Sequence, residues 1–197
     1  MSNWPRCLAP IRPPKAWRHR ARVGKGEHVL ITGASGGVGS AAIQLARRRG
    51  ARVSAVAGKG KETQLQALGA DHVIPRGDRL ADHIEPQSVD VVLDVVAGPT
   101  FPELLQVLKR GGRYAVAGAI AGPIVELDVR TLYLKDLTLF GCTFQEDEVF
   151  ENLISYIERG EIRPNVAGTW PLEQIVDAQK EFLSKNAGGK LVLTIPQ

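Results

Sequence analysis

Thr32-Gly-Ala-Ser-Gly-Gly-Val-Gly-Ser40 is the stretch whose reading decides the fold. Before it stands a short apolar run, His28–Thr32, of the kind a strand buried on both faces carries. After it, Gly36–Arg49 reads as a helix: Val38, Ala42, Leu45 and Ala46 fall on one side, and Arg47, Arg48 and Arg49 stand in the last turn. Cations there complement the negative end of the helix dipole, and Gly50 stops the helix. A glycine-rich strand-to-helix junction brings backbone N–H groups to a helix N-terminus, where an anion such as a pyrophosphate is favoured. Gly36 is placed for close approach of that anion, and Gly39 for tight packing of the helix on the strand. Ala34 occupies the position of the first glycine in the dinucleotide fingerprint, with Ser35, Gly37 and Val38 completing the loop.

Working outward, the strand–helix pattern repeats. Ala51–Ala57 is expected as a second strand, Lys61–Leu68 as a helix capped by Gly69, and His72–Ile74 as a third strand. Val89–Val96 follows, then a helix Phe101–Lys109 capped by Gly111 and Gly112, then strands Arg113–Ala117 and Leu137–Phe140. Val149, Phe150, Leu153, Ile154 and Ile157 fall at helical spacing. Pro171 opens another helix, and Lys190–Ile195 is a final strand. Such alternation implies an α/β fold: a doubly wound, parallel, six-stranded Rossmann sheet with helices on both faces, followed by a C-terminal helix and strand. The expected organisation is an irregular basic leader over 1–22, the dinucleotide-binding domain over 23–170, and the C-terminal pair over 171–197.

The leader carries Pro5, Pro10, Pro13 and Pro14 and no hydrophobic period. Seven of the 25 basic residues lie in residues 1–26, which hold no acid, so the remainder has 18 basic against 21 acidic residues. The net charge of +4 thus belongs to the tail. No nucleic-acid motif accompanies it, and a solvated leader is expected. No apolar run reaches membrane-spanning length and no secretory signal is visible. Cys7 and Cys142 cannot build a disulfide framework or a four-cysteine zinc site. A cytoplasmic protein without membrane partners is expected.

The nucleotide is read at the tip of the second strand. A carboxylate roughly 20 residues past the glycine loop would hold a ribose 2′-hydroxyl. Here Ala57-Gly58 is followed by Lys59-Gly60-Lys61, with no acid at the tip, and Arg76 follows the third strand. Those cations suit a 2′-phosphate, so NADP(H) is the expected cofactor. The glycine loop alone would also fit short-chain dehydrogenases, which need a Tyr with a Lys four residues on. Tyr114, Tyr133 and Tyr156 are followed at that spacing by Gly118, Leu137 and Gly160, so that family is set aside.

From about Ala21 to Pro196 the chain resembles the medium-chain dehydrogenase/reductase superfamily in its quinone-oxidoreductase-like, zinc-independent branch. The landmarks are Gly26-Glu-His-Val-Leu-Ile31, the Ala34–Gly39 loop, Leu68-Gly-Ala-Asp-His-Val-Ile74, Val89-Asp-Val-Val-Leu-Asp94, Gly111-Gly-Arg-Tyr-Ala-Val-Ala-Gly118 and Gly188-Gly-Lys-Leu-Val-Leu193. The resemblance implies that Val95 and Val96 line the cofactor, that Ala117, Gly118 and Ala119 lie near the nicotinamide ribose, and that Phe140, Gly141 and Cys142 flank the nicotinamide. It implies that Lys190 reaches toward the cofactor phosphates and that Lys61 meets the 2′-phosphate. It also implies hydride transfer between nicotinamide and a quinone, enone or carbonyl substrate, and a homodimer paired through Leu137–Phe140.

Members of that superfamily begin with a catalytic domain that this chain lacks, so the chain is expected to be incomplete for catalysis alone. Leu172–Val176 and Lys190–Ile195 would then lack their usual partner. A truncated or frame-shifted gene start would account for residues 1–20. No His/Cys/Glu set for a catalytic zinc is expected; Cys7 reads as an incidental thiol and Cys142 as a packing residue. Asp94 reads as structural or ribose-binding, and no catalytic residue is assigned. The alternatives are a stand-alone NADPH-binding sensor, a structural or nucleic-acid-associated module, and a fragment of a zinc-type alcohol dehydrogenase.

Overall fold

The computed structural model describes residues 21–143, 147–184 and 189–195; the rest of the leader, with Cys7, and Gly188 lie outside the described residues. Six parallel strands form the main sheet: β1 (His28–Ile31), β2 (Arg52–Ala57), β3 (His72–Pro75), β4 (Val89–Asp94), β5 (Leu108–Val116) and β6 (Thr138–Gly141). Their order is β3-β2-β1-β4-β5-β6, the doubly wound arrangement expected above.

Alternation along the strands fills both faces. Val29, Ile31, Val53, Ala55, Val91 and Leu93 pack on one side, together with Ala42, Ile43 and Ala46 of α1 (Gly37–Arg48) and Leu65 of α2 (Glu62–Ala67). Leu30, Val56, Val92 and Tyr114 pack on the other, against Phe101, Leu104 and Leu105 of α3 (Phe101–Val107). Strict alternation would put Val89 with Val91. A register shift between them instead turns Val89 toward α3.

α1 presents a second apolar stripe. Its Ala41 and Leu45 meet Leu153 and Ile162, with Ile154 and Ile157 beside them, so α5 (Asp147–Glu158) lies over the outer side of α1. The side chains of Val149 and Phe150 lie outside the described residues. A polar latch holds the chain just beyond α5. Gln44 Nε2 donates to the Arg163 carbonyl at 3.0 Å, and the Arg163 N–H donates to Gln44 Oε1 at 2.9 Å.

Two sequence expectations need correction. α3 ends at Val107 rather than Lys109, and Gly111-Gly112 sits inside β5 instead of capping the helix. Leu108 is already extended and pairs with Val89, while Arg113 is the partner of Val91. The residues between form a kink in which Gly111 takes φ +72° and its N–H reaches the Lys135 carbonyl at 2.7 Å. The ion pair from Lys109 Nζ to Asp90 at 2.8 Å draws this segment into the sheet. Two elements were not anticipated. They are α4 (Val129–Leu134), capped by the Asp128 carboxylate, and β7 (Val166–Pro171). β7 pairs in parallel with β8 (Lys190–Thr194), and α6 (Ile175–Ser184) connects them, so the C-terminal helix and strand belong to a separate two-stranded sheet.

At the other end of the described residues, Ala21 and Val23 are buried. The Arg113 guanidinium fixes that segment by donating to the Ala21 carbonyl at 2.7 Å, and Arg49 donates to that of Val23 at 2.8 Å.

Candidate functional site

In a doubly wound sheet, ligands bind outside the carboxyl ends of the strands, where the strand order reverses. That point lies between β1 and β4, since the chain leaves β1 toward β2 and later returns to β1's other side. The turns after both strands meet there. Gly33 has φ +58°, and a β-carbon on it would stand 2.5 Å from Val95 Cγ2, so only glycine lets the two turns touch. The Ala34 N–H reaches across to the Val56 carbonyl at 3.0 Å, tying the loop to β2.

Gly36 is the N-cap of α1, no side chain caps that helix end, and Gly36 itself is exposed. The first backbone N–H groups of a helix have no partner within it. Gly37, Val38 and Gly39 therefore form a cradle that a β-carbon at Gly36 would begin to fill, which fits a bound pyrophosphate.

The turn after β4 is organised by Asp94, which is fully buried. Its carboxylate accepts from the Thr32 hydroxyl, from the Tyr114 hydroxyl at 2.5 Å, and from the N–H groups of Val96 at 2.7 Å and Ala97 at 3.1 Å. A buried carboxylate is tolerable only with its acceptor sites filled in this way. Burial, with the Asp94 charge beside it, pushes the Tyr114 phenol above its ordinary range, so it remains a donor. Ala97 is held at φ +53°, ψ −141°, a region that costs a non-glycine residue roughly 1–3 kcal/mol. The turn carries the next loop: Ile120 N–H donates to the Val95 carbonyl at 3.3 Å and Ala121 N–H to that of Val96 at 2.9 Å.

The residues singled out in the sequence fall into three groups. Ala34, Val38, Val95, Val96, Ala117, Phe140 and Cys142 lie at or beyond the carboxyl ends of the strands and belong to one packed cluster with the core on that face of the sheet. Ser35, Gly36, Gly37 and Gly39 line the α1 N-terminus; Gly118 and Ala119 continue from β5, and Gly141 ends β6. Cys142 is buried there, and its N–H donates to the Val116 carbonyl at 2.9 Å.

The second group sits at the ends of β2 and β3. A β-carbon on Gly58 would lie 3.9 Å from Arg76 Nη2, so this guanidinium overlies the β2 tip. Lys59 is exposed beside it and Lys61 stands at the start of α2. Sequence reasoning missed Glu62 here: its carboxylate accepts from the Gly60 N–H at 3.2 Å, an engagement that only the folded loop reveals. Lys190 forms the third group alone, in the two-stranded sheet. Among the described residues no group of three or more His, Cys, Asp or Glu is arranged to hold a metal ion, and no helix is long and apolar enough to cross a membrane.

A six-stranded, doubly wound sheet with a glycine loop at its switch point defines a Rossmann domain. Residues 37–159 match the family model described as zinc-binding dehydrogenase, and the chain belongs to that family, within the quinone-oxidoreductase and alcohol-dehydrogenase branch of the medium-chain dehydrogenase/reductases. It is 37% identical over 177 residues to acryloyl-coenzyme A reductase of Metallosphaera sedula, covering 89% of this chain and 53% of that protein. It is 32% identical over 195 residues to quinone oxidoreductase of Rattus norvegicus, covering 92% of this chain and 58% of that one. A structure of a candidate alcohol dehydrogenase from Sinorhizobium meliloti 1021 superposes with a TM-score of 0.89 at 48% identity, over 95% of this chain and 53% of that one. The chain thus spans about half the length of the curated relatives it matches.

Proposed function

We propose that this chain is the NADP(H)-holding part of an oxidoreductase that transfers hydride between nicotinamide and a quinone, enone or carbonyl substrate. The observation that carries the reading is the cradle at the switch point between β1 and β4, with Lys59 and Arg76 at the strand tips beside it. The N–H groups at the start of α1 would hold the pyrophosphate. Lys59, Lys61 and Arg76 would hold the 2′-phosphate. Val95, Val96, Ala117, Gly118 and Ala119 would bound the nicotinamide ribose, with Phe140, Gly141 and Cys142 shielding the ring from water. Lys190 would reach the phosphates. The bound cofactor would supply the hydride chemistry, and this chain would position it. The names of the relatives, an acryloyl-coenzyme A reductase and a quinone oxidoreductase, support an activated alkene or quinone as acceptor. Zinc has no part in this reading, because a nicotinamide can reduce such acceptors without a Lewis acid.

β6 ends the sheet, and Leu139 on it is exposed together with Ile120, Ile124, Tyr133 and Leu134. An open strand edge beside apolar surface supports a homodimer paired through this strand. Light scattering at tens of micromolar, where weak interfaces associate, should give twice the monomer mass; a clean monomer would reject the pairing.

Calorimetric titration of NADPH and of NADH into the purified chain tests the central reading. Tight binding of NADPH with much weaker NADH is expected. Equal affinities would remove the 2′-phosphate assignment, and binding of neither would reject this chain as a self-sufficient cofactor holder.

A further inference from the structure

We propose that Asp94 is a positioning residue: through Thr32 and Tyr114 it sets the β4 turn, and with it the nicotinamide half of the cofactor site. This inference rests on the NADP(H) reading above. The doubly wound sheet consists of two mononucleotide halves. The half built from β1, β2 and β3 carries Lys59, Lys61 and Arg76 and so takes the adenosine end. The half built from β4, β5 and β6 is left for the nicotinamide end.

Within that second half, the loop after β5 takes its register from Val95–Gly98. Ile120 and Ala121 hydrogen-bond to the Val95 and Val96 carbonyls. A β-carbon on Gly118 would meet the Val95 carbonyl oxygen at 2.9 Å, and one on Gly98 the Ala121 carbonyl oxygen at 2.8 Å. The loops are therefore in contact, with no slack between them. The turn itself is held in a backbone conformation that alanine disfavours, φ +53° at Ala97, and the groups that hold it there include the Val96 and Ala97 N–H donors to Asp94. Tyr114 reaches the same carboxylate from β5 and Thr32 reaches it from the end of β1. One buried carboxylate thus joins β4 to the strands on either side of it, β1 and β5. Its oxygens are taken up by these donors and the side chain is fully buried, so the carboxylate acts through geometry.

The test uses Asp94→Asn and Tyr114→Phe in the full chain. Asparagine keeps the shape of Asp94, but its amide NH2 is a donor aimed at donors. Tyr114→Phe removes a single donor and guards against failure of the first variant to fold. Two probes are titrated: NADPH, and adenosine 2′,5′-bisphosphate, which occupies only the adenosine half. Each variant is expected to weaken NADPH by about tenfold or more, the size of one lost buried hydrogen bond, while the bisphosphate changes by less than about twofold. A merely structural role would lower both affinities together or neither, and either result would overturn the proposal.

Should the wild-type chain bind neither probe, the NADP(H) reading fails first, and amide hydrogen exchange judges Asp94 separately. Faster exchange at Val96, Ala97, Ile120 and Ala121 in Asp94→Asn, with Leu30 and Ile31 unchanged, would support its setting of the turn. Unchanged exchange at those four amides would reject it.

Discussion

A β-carbon built on Gly39 would stand 2.5 Å from the Cα of Ala34. The glycine loop and the first turn of α1 are in backbone contact, and the contact is made by the loop folding back on the helix it opens. Gly39→Ala is therefore expected to cost about 1–3 kcal/mol of stability, as overpacking does. Gly36→Ala is different. Its β-carbon would lie 3.3 Å from the Gly33 carbonyl oxygen, a tight but tolerable fit, so the protein should fold with little change in urea midpoint. The same methyl group would intrude where the pyrophosphate is expected, and NADPH affinity should fall by about tenfold or more. Loss of binding in a destabilised Gly36→Ala protein would undo that distinction.

The cations at the strand tips should set the nucleotide preference. Arg76→Glu and Lys59→Glu are each expected to weaken NADPH by about tenfold while leaving NADH within about twofold, because only the former carries the 2′-phosphate. Parallel titrations measure this. An equal drop for both nucleotides would show that the cations act on something the two share.

Stability should decline on mild acidification because of His28. Its ring is buried between β1 and β2, with Nε2 2.8 Å from Ser54 Oγ and Nδ1 2.9 Å from the Arg52 guanidinium. Nδ1 also lies 3.2 Å from the Ser88 carbonyl, which can only accept, but the nearer Arg52 guanidinium can only donate and favours a neutral ring with Nδ1 accepting. Desolvation first, and then the Arg52 charge, hold the His28 pKa below its ordinary value. Asp90 on β4, whose carboxylate accepts the His28 N–H at 2.8 Å, and Lys109 on β5 face the same site. For a lowered histidine, the unfolded chain binds the extra proton. The stabilisation is therefore complete above about pH 7 and is lost as pH falls through roughly 6.5, the unfolded value, toward the folded one. Asp90, also held below its usual range, would act in the same direction but only below about pH 5. Thermal melts between pH 7.5 and about 5 should show the loss, and His28→Gln should flatten it. An unchanged slope in that variant would assign the effect elsewhere.

Gln44→Ala should loosen the segment that follows α5. It removes both hydrogen bonds to the Arg163 backbone at a cost of about 1 kcal/mol, since the pair is solvent-accessible. Hydrogen exchange at Arg163 should rise while exchange in β1 stays as it was. Protection of Arg163 that survives the substitution would show that the ion pair between Arg48 and Glu161 suffices.

The elements that could be read in advance are those whose signal is local. β1, the glycine loop and α1 are written in one contiguous stretch, His28 to Arg48, because a buried strand, an anion-binding turn and an amphipathic helix each leave a mark within a few residues. The failures are equally specific. Gly111-Gly112 carries the same local mark whether it caps a helix or kinks a strand, and only the pairing of Leu108 with Val89 decides between them. α4 is only six residues long, so Val129, Leu132 and Tyr133 at helical spacing are too few to establish a period, and β7 carries Gly168 where an uninterrupted strand pattern would be looked for.

What the sequence by itself determined is therefore the alternation of strands and helices, the glycine loop at the first junction, and the cations at the β2 and β3 tips. Those depend on sterics and periodicity among neighbouring residues. The tertiary structure alone decided that Asp94, Thr32 and Tyr114 share one buried carboxylate, that Gln44 holds Arg163, and that Glu62 turns back onto its own loop. For the first two, the physical reason is distance along the chain. Asp94 lies 62 residues from Thr32, and Gln44 lies 119 from Arg163. No local preference encodes such a meeting. It follows only once hydrophobic burial has brought the strands and helices into register and left each buried polar group to find its partner.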